Sequence, residues 1–265
     1  MLLALADVLA NLAKTPSATV LEKCRGSLDA LVFANLDEEI EEGPRAASAK
    51  ALGALARKHL PEEELAEIIS AVDANISSSD WGERQGAVSL LAALCAAADW
   101  ERCSGKLGGK AGGFLSKAFS DDKIPVRIGA FMFCASLAEA ASGATGNKDM
   151  AVSSIKDAKA LATVAKELKA ATTSSNVELL SAALTAAGHL GGACGDEARK
   201  TLVGPVFHAL QQVPACKQYT DEALRLLLCV EEGNAESVLE MLSSSQSIQA
   251  KEVKYLTEYV RRVTR

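Results

Sequence analysis

Apolar residues recur at intervals of three and four along most of the chain, the spacing that puts them on one face of an α-helix. Four of these segments each end on a leucine and carry alanines or glycines where another helix has to approach. They are PRAASAKALGAL (44–55), ERQGAVSLLAAL (83–94), VRIGAFMFCASL (126–137) and VELLSAALTAAGHL (177–190). The closing leucines are 39, 43 and 53 residues apart, and TDEALRLLLCV (220–230) is a degenerate fifth copy.

Other segments with helical spacing lie between these copies. They span residues 60–76, 157–172, 203–213 and 235–244. The unit is therefore helix, turn, helix over about 40 residues, the length of HEAT and armadillo repeats, and two helices per unit favour HEAT. We predict an all-α fold, an α-solenoid of about five to six HEAT-like helical hairpins that forms one domain over residues 1–265.

Two segments lie outside the regular repeat. Residues 141–157 account for the longest interval and are predicted to form an insertion loop, since loops absorb extra length at little cost. Residues 250–264 are predicted to form a C-terminal capping helix. The N-terminal sequence MLLALADVLANLAK predicts an amphipathic helix with no helix before it, which suggests a fragment of a longer array.

Composition narrows the class of protein. Aromatic residues make up only 4% of the chain. The formal net charge is −6, and because proteins that coat nucleic acid are usually basic, we do not predict this as the main function. The seven cysteines are widely spaced without a CxxC pair and indicate a reducing compartment, here the cytoplasm. Asp7 interrupts the first apolar run, which disfavours a signal peptide, and no later run of about 18 apolar residues predicts a membrane span.

The glycine-rich stretch CSGKLGGKAGGFLSK (103–117) resembles a phosphate-binding loop at first sight. However, Lys110 is followed by Ala111, where a P-loop needs Ser or Thr, and the preceding segment is helical. Leu107, Phe114 and Leu115 have helical spacing, so residues 105–119 are predicted to be an outer helix with a basic exposed side. We predict no catalytic residue, metal or cofactor; an ATP-using enzyme with a loop at 105–110 is the least favoured hypothesis.

Six residues are candidates for partner binding. Arg84 and Arg127 occupy matching repeat positions, and they either pair with acidic neighbours and stiffen the stack or contact a partner. Trp81, at the start of the same helix as Arg84, either packs between repeats, which is favoured, or stays exposed as an anchor. Lys254, Arg261 and Arg262 lie in the C-terminal helix, whose polar face either keeps the array soluble or contacts ribosomal RNA or an acidic partner.

Three segments resemble the C-terminal HEAT repeats of the family of large ribosome-associated translational activators of general amino-acid control. They are LDEEIEEGPRAASAKALGALARKHLPEEELAEII, SSSDWGERQGAVSLLAALC and KLGGKAGGFLSKAFSDDKIPVRIGAFMFCASLAEA. The matching motif residues are Leu52, Gly53, Ala54, Leu55, Pro61, Asp80, Trp81, Arg84, Asp122, Ile124 and Pro125. The resemblance spans about residues 37–190. Gln85 and Gly86 stand where that family has basic residues after its "DW" start.

The resemblance implies a non-catalytic scaffold in translational stress signalling. Such a scaffold helps a ribosome-associated activator couple amino-acid starvation or ribosome stalling to the kinase of initiation factor two alpha. Its partners would be the ribosome and the regulatory kinase or its activator complex, with at most a weak direct contact with RNA and without a small-molecule substrate or a membrane. The alternative is a generic HEAT-repeat scaffold, such as a phosphatase, transport or chaperone adaptor.

Overall fold

The computed structural model describes residues 62–95, 100–142, 148–228, 235–244 and 250–264, and no strand occurs among them. The predicted N-terminal helix and the copy at 44–55 lie outside the described residues. The chain divides into two compact units, Met1–Ala158 and Lys159–Arg265. That the units continue one another as a single array stays a prediction.

Six helices make up the described part of the first unit. They are α1 (Glu62–Asn75), α2 (Trp81–Cys95), α3 (Trp100–Leu107), α4 (Ala111–Phe119), α5 (Ile124–Ser142) and α6 (Lys148–Asp157). The two long helices α2 and α5 pack side by side; α1 packs on α2, whereas α4 and α6 pack on α5. This arrangement gives a layer of long helices and a layer of shorter ones, as expected of stacked helical hairpins.

The core of this unit lies between the two layers. Leu90 and Leu91 of α2 and Phe131 and Phe133 of α5 are fully buried. The ring of Phe131 also meets that of Phe119 in α4, with centroids 5.1 Å apart. The apolar positions read from the sequence therefore supply the contacts that hold the layers together.

The glycine-rich stretch is helical throughout. One turn of 3-10 helix, Gly108–Lys110, separates α3 from α4. Its lysines reach α1 and the turn after it: Lys106 pairs with Glu62 at 3.6 Å, Lys110 pairs with Asp73, and Lys117 Nζ donates to Ser77 Oγ at 2.9 Å. The predicted outer element is present, but it is divided in two, so this repeat has three helices, the number typical of armadillo repeats.

The predicted insertion loop at 141–157 is wrong over residues 148–157, which form α6. Ala151, Ser154 and Ile155 are buried at helical spacing, a face too short and too polar to stand out in the sequence. The helix approaches α4 closely because Gly112 has no side chain. A Cβ at Gly112 would lie 2.9 Å from the Cβ of Asp157 and 3.0 Å from the carbonyl oxygen of Ser154.

The second unit contains five described helices. They are α7 (Ala160–Lys169), α8 (Val177–Gln212), α9 (Lys217–Leu228), α10 (Ala235–Ser244) and α11 (Ala250–Val263). Gly195 interrupts α8 with φ 53° and ψ −127°, values open to glycine but costly for other residues. The part of α8 before Gly195 contains the copy at 177–190, and the part after it contains the predicted helix at 203–213. Helix α8 packs against both α7 and α9.

Helix α11 occupies the range predicted for the C-terminal helix. Leu256 and Val260 are fully buried. The Tyr259 hydroxyl donates a 2.7 Å hydrogen bond to the backbone oxygen of Asp221 in α9. The Tyr255 ring lies 5.0 Å from that of Phe207 in α8. An apolar face and one phenolic hydrogen bond thus fix this helix on the second unit.

Helix α5 is the longest helix among the described residues of the first unit. Its 19 residues and mean hydropathy of 1.4 would suffice, by length and composition alone, to cross a membrane. However, 67% of the apolar window is buried inside the protein. Packing between α2, α4 and α6 accounts for this composition, because a helix covered by neighbouring helices is apolar on several sides.

Gly129 lies on the buried side of α5, where the sequence register predicts a close contact with a neighbouring helix. A Cβ there would lie 3.1 Å from Cγ1 of Val88 in α2. We expect Gly129→Leu to lower the free energy of unfolding by about 1–3 kcal/mol, because the larger side chain forces the two helices apart. Urea denaturation measures this loss. Gly113→Leu, at a position with nothing within 4 Å, is the control; equal losses at both positions would contradict the packing argument.

Candidate protein-binding surface

The three best-defined long helices begin with an exposed apolar residue. Trp81, Ile124 and Val177 are the first residues of α2, α5 and α8, each thirteen residues before a closing leucine. Their exposed fractions are 41%, 40% and 41%. Side chains at a helix start tilt back toward the N-terminus, so they project beyond the packed body of the helix. The favoured interpretation that Trp81 packs between repeats is therefore wrong: its ring is available at the surface.

The turn before α2 fixes the position of Trp81. Asp80 Oδ1 accepts hydrogen bonds from the backbone N–H of Gly82 at 2.6 Å and of Glu83 at 3.1 Å. Ser78 Oγ in turn accepts from the backbone N–H of Asp80 at 3.0 Å. These bonds satisfy free amides of the first helical turn, as the serine- and aspartate-rich sequence predicts. The tryptophan consequently sits on a rigid helix end.

Arg84 joins the turns that precede the two long helices of the first unit. Its Nε and Nη2 donate to the two carboxylate oxygens of Asp121 at 2.7 and 3.1 Å. Its Nη1 donates to the backbone oxygens of Ser78 and Ser79 at 3.0 and 3.1 Å. Only 16% of the Arg84 side chain is exposed. Of the two roles predicted for Arg84, pairing with an acidic neighbour is the one that the geometry supports.

The same contacts shift the pKa of both groups. The hydrogen bond to Asp121 raises the pKa of the Arg84 guanidinium. Burial of Asp121 favours its protonated form. The hydrogen bonds from Arg84 and from the backbone N–H of Lys123 outweigh this effect and lower the pKa of the carboxyl. The pair is therefore fully charged at neutral pH and is shielded from a partner.

Arg127 occupies the corresponding position of α5 and is half-buried. It has interactions of its own and is not a free cation. In α8 the matching residue is Leu180, which is buried. Among the described long helices, the matching position therefore carries an arginine only in α2 and α5.

A continuous apolar strip follows α5 from its first residue. Ile124, Ile128 and Met132 are four residues apart; Ile128 is half-buried, and Met132 is 43% exposed. On the neighbouring α2, the residue in register with Met132 is Ser89, which is half-buried. This strip was not predicted from the sequence. The sequence feature that could have revealed the strip is the four-residue spacing of large apolar side chains on a helix whose opposite side is also apolar.

The basic residues predicted for partner binding in the second unit are accessible. Lys254, Arg261 and Arg262 are exposed on α11, and the Arg262 guanidinium carbon lies 5.3 Å from the centre of the Tyr259 ring. Glu258 is exposed on the same helix. The exposed residues described on α11 are thus mainly basic, with Glu258 among them, and this helix belongs to a different unit from Trp81.

The chemistry available to the described residues is limited. They contain no group of three or more His, Cys, Asp or Glu that could hold a metal ion. Burial raises the pKa of the Cys95 thiol well above its ordinary value, which keeps this side chain protonated and unreactive. Residues 105–110 belong to α3 and to the 3-10 turn, where Lys106 and Lys110 face carboxylates rather than an open loop.

Comparison with known proteins gives matches in structure only. No family model matches the sequence, and no curated protein matches it. The structure is similar to an engineered protein from the Northeast Structural Genomics Consortium, with a TM-score of 0.53 and 19% identity over 89% of this chain and 97% of the other. The designed armadillo repeat protein YIII(Dq)4CqI gives 0.53 at 16% identity, over 90% of this chain and all of the other.

A third match, to computationally designed armadillo repeat proteins for modular peptide recognition, has a TM-score of 0.51 and 17% identity over 90% of this chain and 100% of the other. The chain has an armadillo-like helical-repeat fold. At these identities the likeness concerns the fold alone, and it confirms the all-α solenoid class predicted from the repeat spacing.

Proposed function

We propose that this chain is a non-catalytic scaffold that binds other proteins through the exposed faces of its long helices. The observation that supports this most is that exposed apolar residues recur at equivalent positions, at the starts of α2, α5 and α8. About two fifths of each of these residues is exposed, and the recurrence of exposed apolar residues at equivalent repeat positions favours a contact surface. Within the first unit, the helices α2 and α5 that begin with Trp81 and Ile124 pack side by side.

We further propose that the scaffold acts in translational stress signalling in the cytoplasm. The support is the resemblance of residues 37–190 to ribosome-associated activators of the kinase of initiation factor two alpha. In this proposal, Lys254, Arg261 and Arg262 of α11 contact the ribosome or its RNA, because all three are exposed and basic. The apolar starts of the long helices would hold the kinase or its activator complex.

A pulldown from the lysate of amino-acid-starved cells tests this function. We expect the tagged chain to retain ribosomal proteins at low salt and to lose them as salt rises, because screening weakens contacts between exposed charges. Reversal of Lys254, Arg261 and Arg262 to glutamate should reduce the retained ribosomal protein about tenfold, as measured by quantitative mass spectrometry.

The matched control reverses three other exposed lysines, Lys156, Lys169 and Lys200. Equal losses in both triple variants would mean that total charge, not α11, determines retention. A set of partners without ribosomal proteins would contradict the translational function and leave a scaffold of another kind, such as a phosphatase, transport or chaperone adaptor.

A further inference from the structure

We infer that Ser77, in the turn between α1 and α2, is a phosphorylation site for a protein serine kinase that selects acidic sequences. Such kinases take a serine that is followed three residues later by aspartate or glutamate. The sequence SSSD at 77–80 places Asp80 at that position. The inference is independent of the proposed scaffold function, because phosphorylation can be measured without any binding partner.

The position of Ser77 in the fold makes its hydroxyl accessible to a kinase. Ser77 is exposed and lies two residues after Asn75, the last residue of α1. Ser70 also has an aspartate three residues later, but it lies inside α1. A turn can enter the cleft of a kinase while the helices on either side stay intact, whereas a residue inside a helix becomes available only when the helix opens. Location therefore favours Ser77 over Ser70.

Ser175, in the turn before α8, provides an internal comparison. It too lies outside a helix and has an acidic residue, Glu178, three positions later. However, Ser175 is half-buried, and its Oγ accepts a 2.9 Å hydrogen bond from the backbone N–H of Thr172. Among the described residues outside helices, Ser77 is thus the only exposed serine with this sequence pattern.

Lys117 of α4 supplies a cation for the phosphate. Its Nζ donates to Ser77 Oγ at 2.9 Å, and both residues are exposed. Lys110, in the 3-10 turn before α4, already pairs with Asp73, whereas Lys117 pairs with no carboxylate of the described residues. A phosphoserine has three strong acceptor oxygens and about two negative charges at neutral pH, so it forms charge-assisted hydrogen bonds with an ammonium group. Lys117 can therefore bind the phosphate without leaving another acidic partner.

The other charges near Ser77 either oppose the phosphate or are already engaged. Ser77 follows the C-terminal end of α1, where the helix dipole disfavours an anion. Asp80 is a second negative group in the same turn. Arg84, which also contacts this turn, is bound to Asp121. Phosphorylation thus makes Lys117 the main partner of residue 77 and ties the turn between α1 and α2 to α4.

Phosphoryl transfer to Ser77 uses ATP and Mg²⁺ as co-reactants. A bond forms between Ser77 Oγ and the γ-phosphorus of ATP, while the bond from that phosphorus to the bridging oxygen breaks and ADP leaves. The hydroxyl proton passes to the catalytic aspartate of the kinase.

Incubation of the full chain with purified casein kinase II, ATP and Mg²⁺ tests the site. Mass spectrometry of proteolytic peptides measures the phosphate at each serine and threonine, and we expect Ser77 to be the main phosphorylated residue. Asp80→Asn should reduce the initial rate at Ser77 about tenfold, because the kinase loses the acidic residue that it selects. Asparagine keeps a side-chain oxygen that can cap α2. Ser175→Ala should leave the rate at Ser77 unchanged.

Phosphorus NMR of the phosphorylated chain tests the role of Lys117. The resonance shifts with the second ionisation of the phosphate, and a nearby cation favours the doubly charged form. We expect the midpoint of this titration to lie about half a pH unit higher in Lys117→Gln than in the wild type. Lys169→Gln, at an exposed lysine of the second unit, should leave the midpoint unchanged.

Three results would overturn the inference: no phosphate at Ser77, an unchanged rate in Asp80→Asn, or equal midpoints in Lys117→Gln and Lys169→Gln. A synthetic peptide of residues 73–84 is the positive control for the kinase. Phosphorylation of the peptide without phosphorylation of the folded chain would mean that the turn is inaccessible, which contradicts the site. None of these results alters the lysate pulldown, which tests the scaffold function separately.

Discussion

Gly191→Ala is expected to destabilise the second unit by about 3 kcal/mol, although alanine is the better helix former. Gly191 lies in α8 where this helix crosses α9. A Cβ at Gly191 would lie 2.6 Å from the Cα of Leu227 and 3.1 Å from the carbonyl oxygen of Leu226. Those atoms belong to the backbone and cannot rotate aside, so the two helices must separate. Urea denaturation followed by far-ultraviolet circular dichroism measures the loss.

Gly113→Ala is the matched control for this substitution. Gly113 is also inside a helix, but it is exposed and has nothing within 4 Å of its Cβ position. There alanine should stabilise the protein by up to about 1 kcal/mol, because only the helix propensity changes. A stability gain in Gly191→Ala equal to that in Gly113→Ala would contradict the close approach of α8 and α9.

Arg84→Ala is expected to destabilise the first unit by about 3 kcal/mol. The substitution leaves the Asp121 carboxylate, whose side chain is only 9% exposed, without its main partner. It also removes the donor for the backbone oxygens of Ser78 and Ser79. Arg84→Lys should recover only part of the loss, since an ammonium cannot make the paired contact of a guanidinium. The same denaturation experiment ranks the three proteins.

The contribution of this pair depends on pH. The pKa of Asp121 is lower in the folded state than its ordinary value of 3.8. The stabilisation is therefore complete above the ordinary value and is lost as the pH falls through the lower, folded-state pKa. The difference in stability between the wild type and Arg84→Ala should be constant from pH 7 to about pH 5 and shrink below about pH 4. A difference that stays constant down to about pH 2.5 would contradict this role of Asp121.

Local spacing sufficed for the elements with strong apolar faces. The helix predicted at 60–76 is Glu62–Asn75, and the copy at 177–190 begins at Val177 as predicted. The side chain of Asn176 caps the start of this helix, because its Oδ1 accepts a hydrogen bond from the backbone N–H of Leu179 at 2.8 Å. Helix α6 was missed because its buried face has only three small or branched residues among polar ones. Helical spacing of apolar residues predicts a helix only when enough residues of that helix are apolar.

The candidate surface was harder to derive from the sequence. Trp81 was identified as a candidate, but its exposure was predicted incorrectly, and neither Ile124 nor Met132 was predicted to be exposed at the surface. Arg84 was identified with both of its roles left open, because its partner Asp121 is 37 residues away in the sequence. For a side chain at the edge of a packed face, the spacing along the chain does not show whether it is exposed or buried. The neighbouring helix decides between the two.

Patterns along the chain were enough to predict the helical class, the repeat length and the close approach at Gly129, because these depend on residues within one or two helical turns or on recurrence along the chain. Contacts between helices were needed to find that Gly191 meets the backbone of Leu227, that Arg84 is bound by Asp121, and that Trp81, Ile124 and Met132 remain at the surface. Each of these depends on the distance to atoms of another helix. Close packing makes such distances sensitive to differences of less than 1 Å that spacing along the chain does not encode.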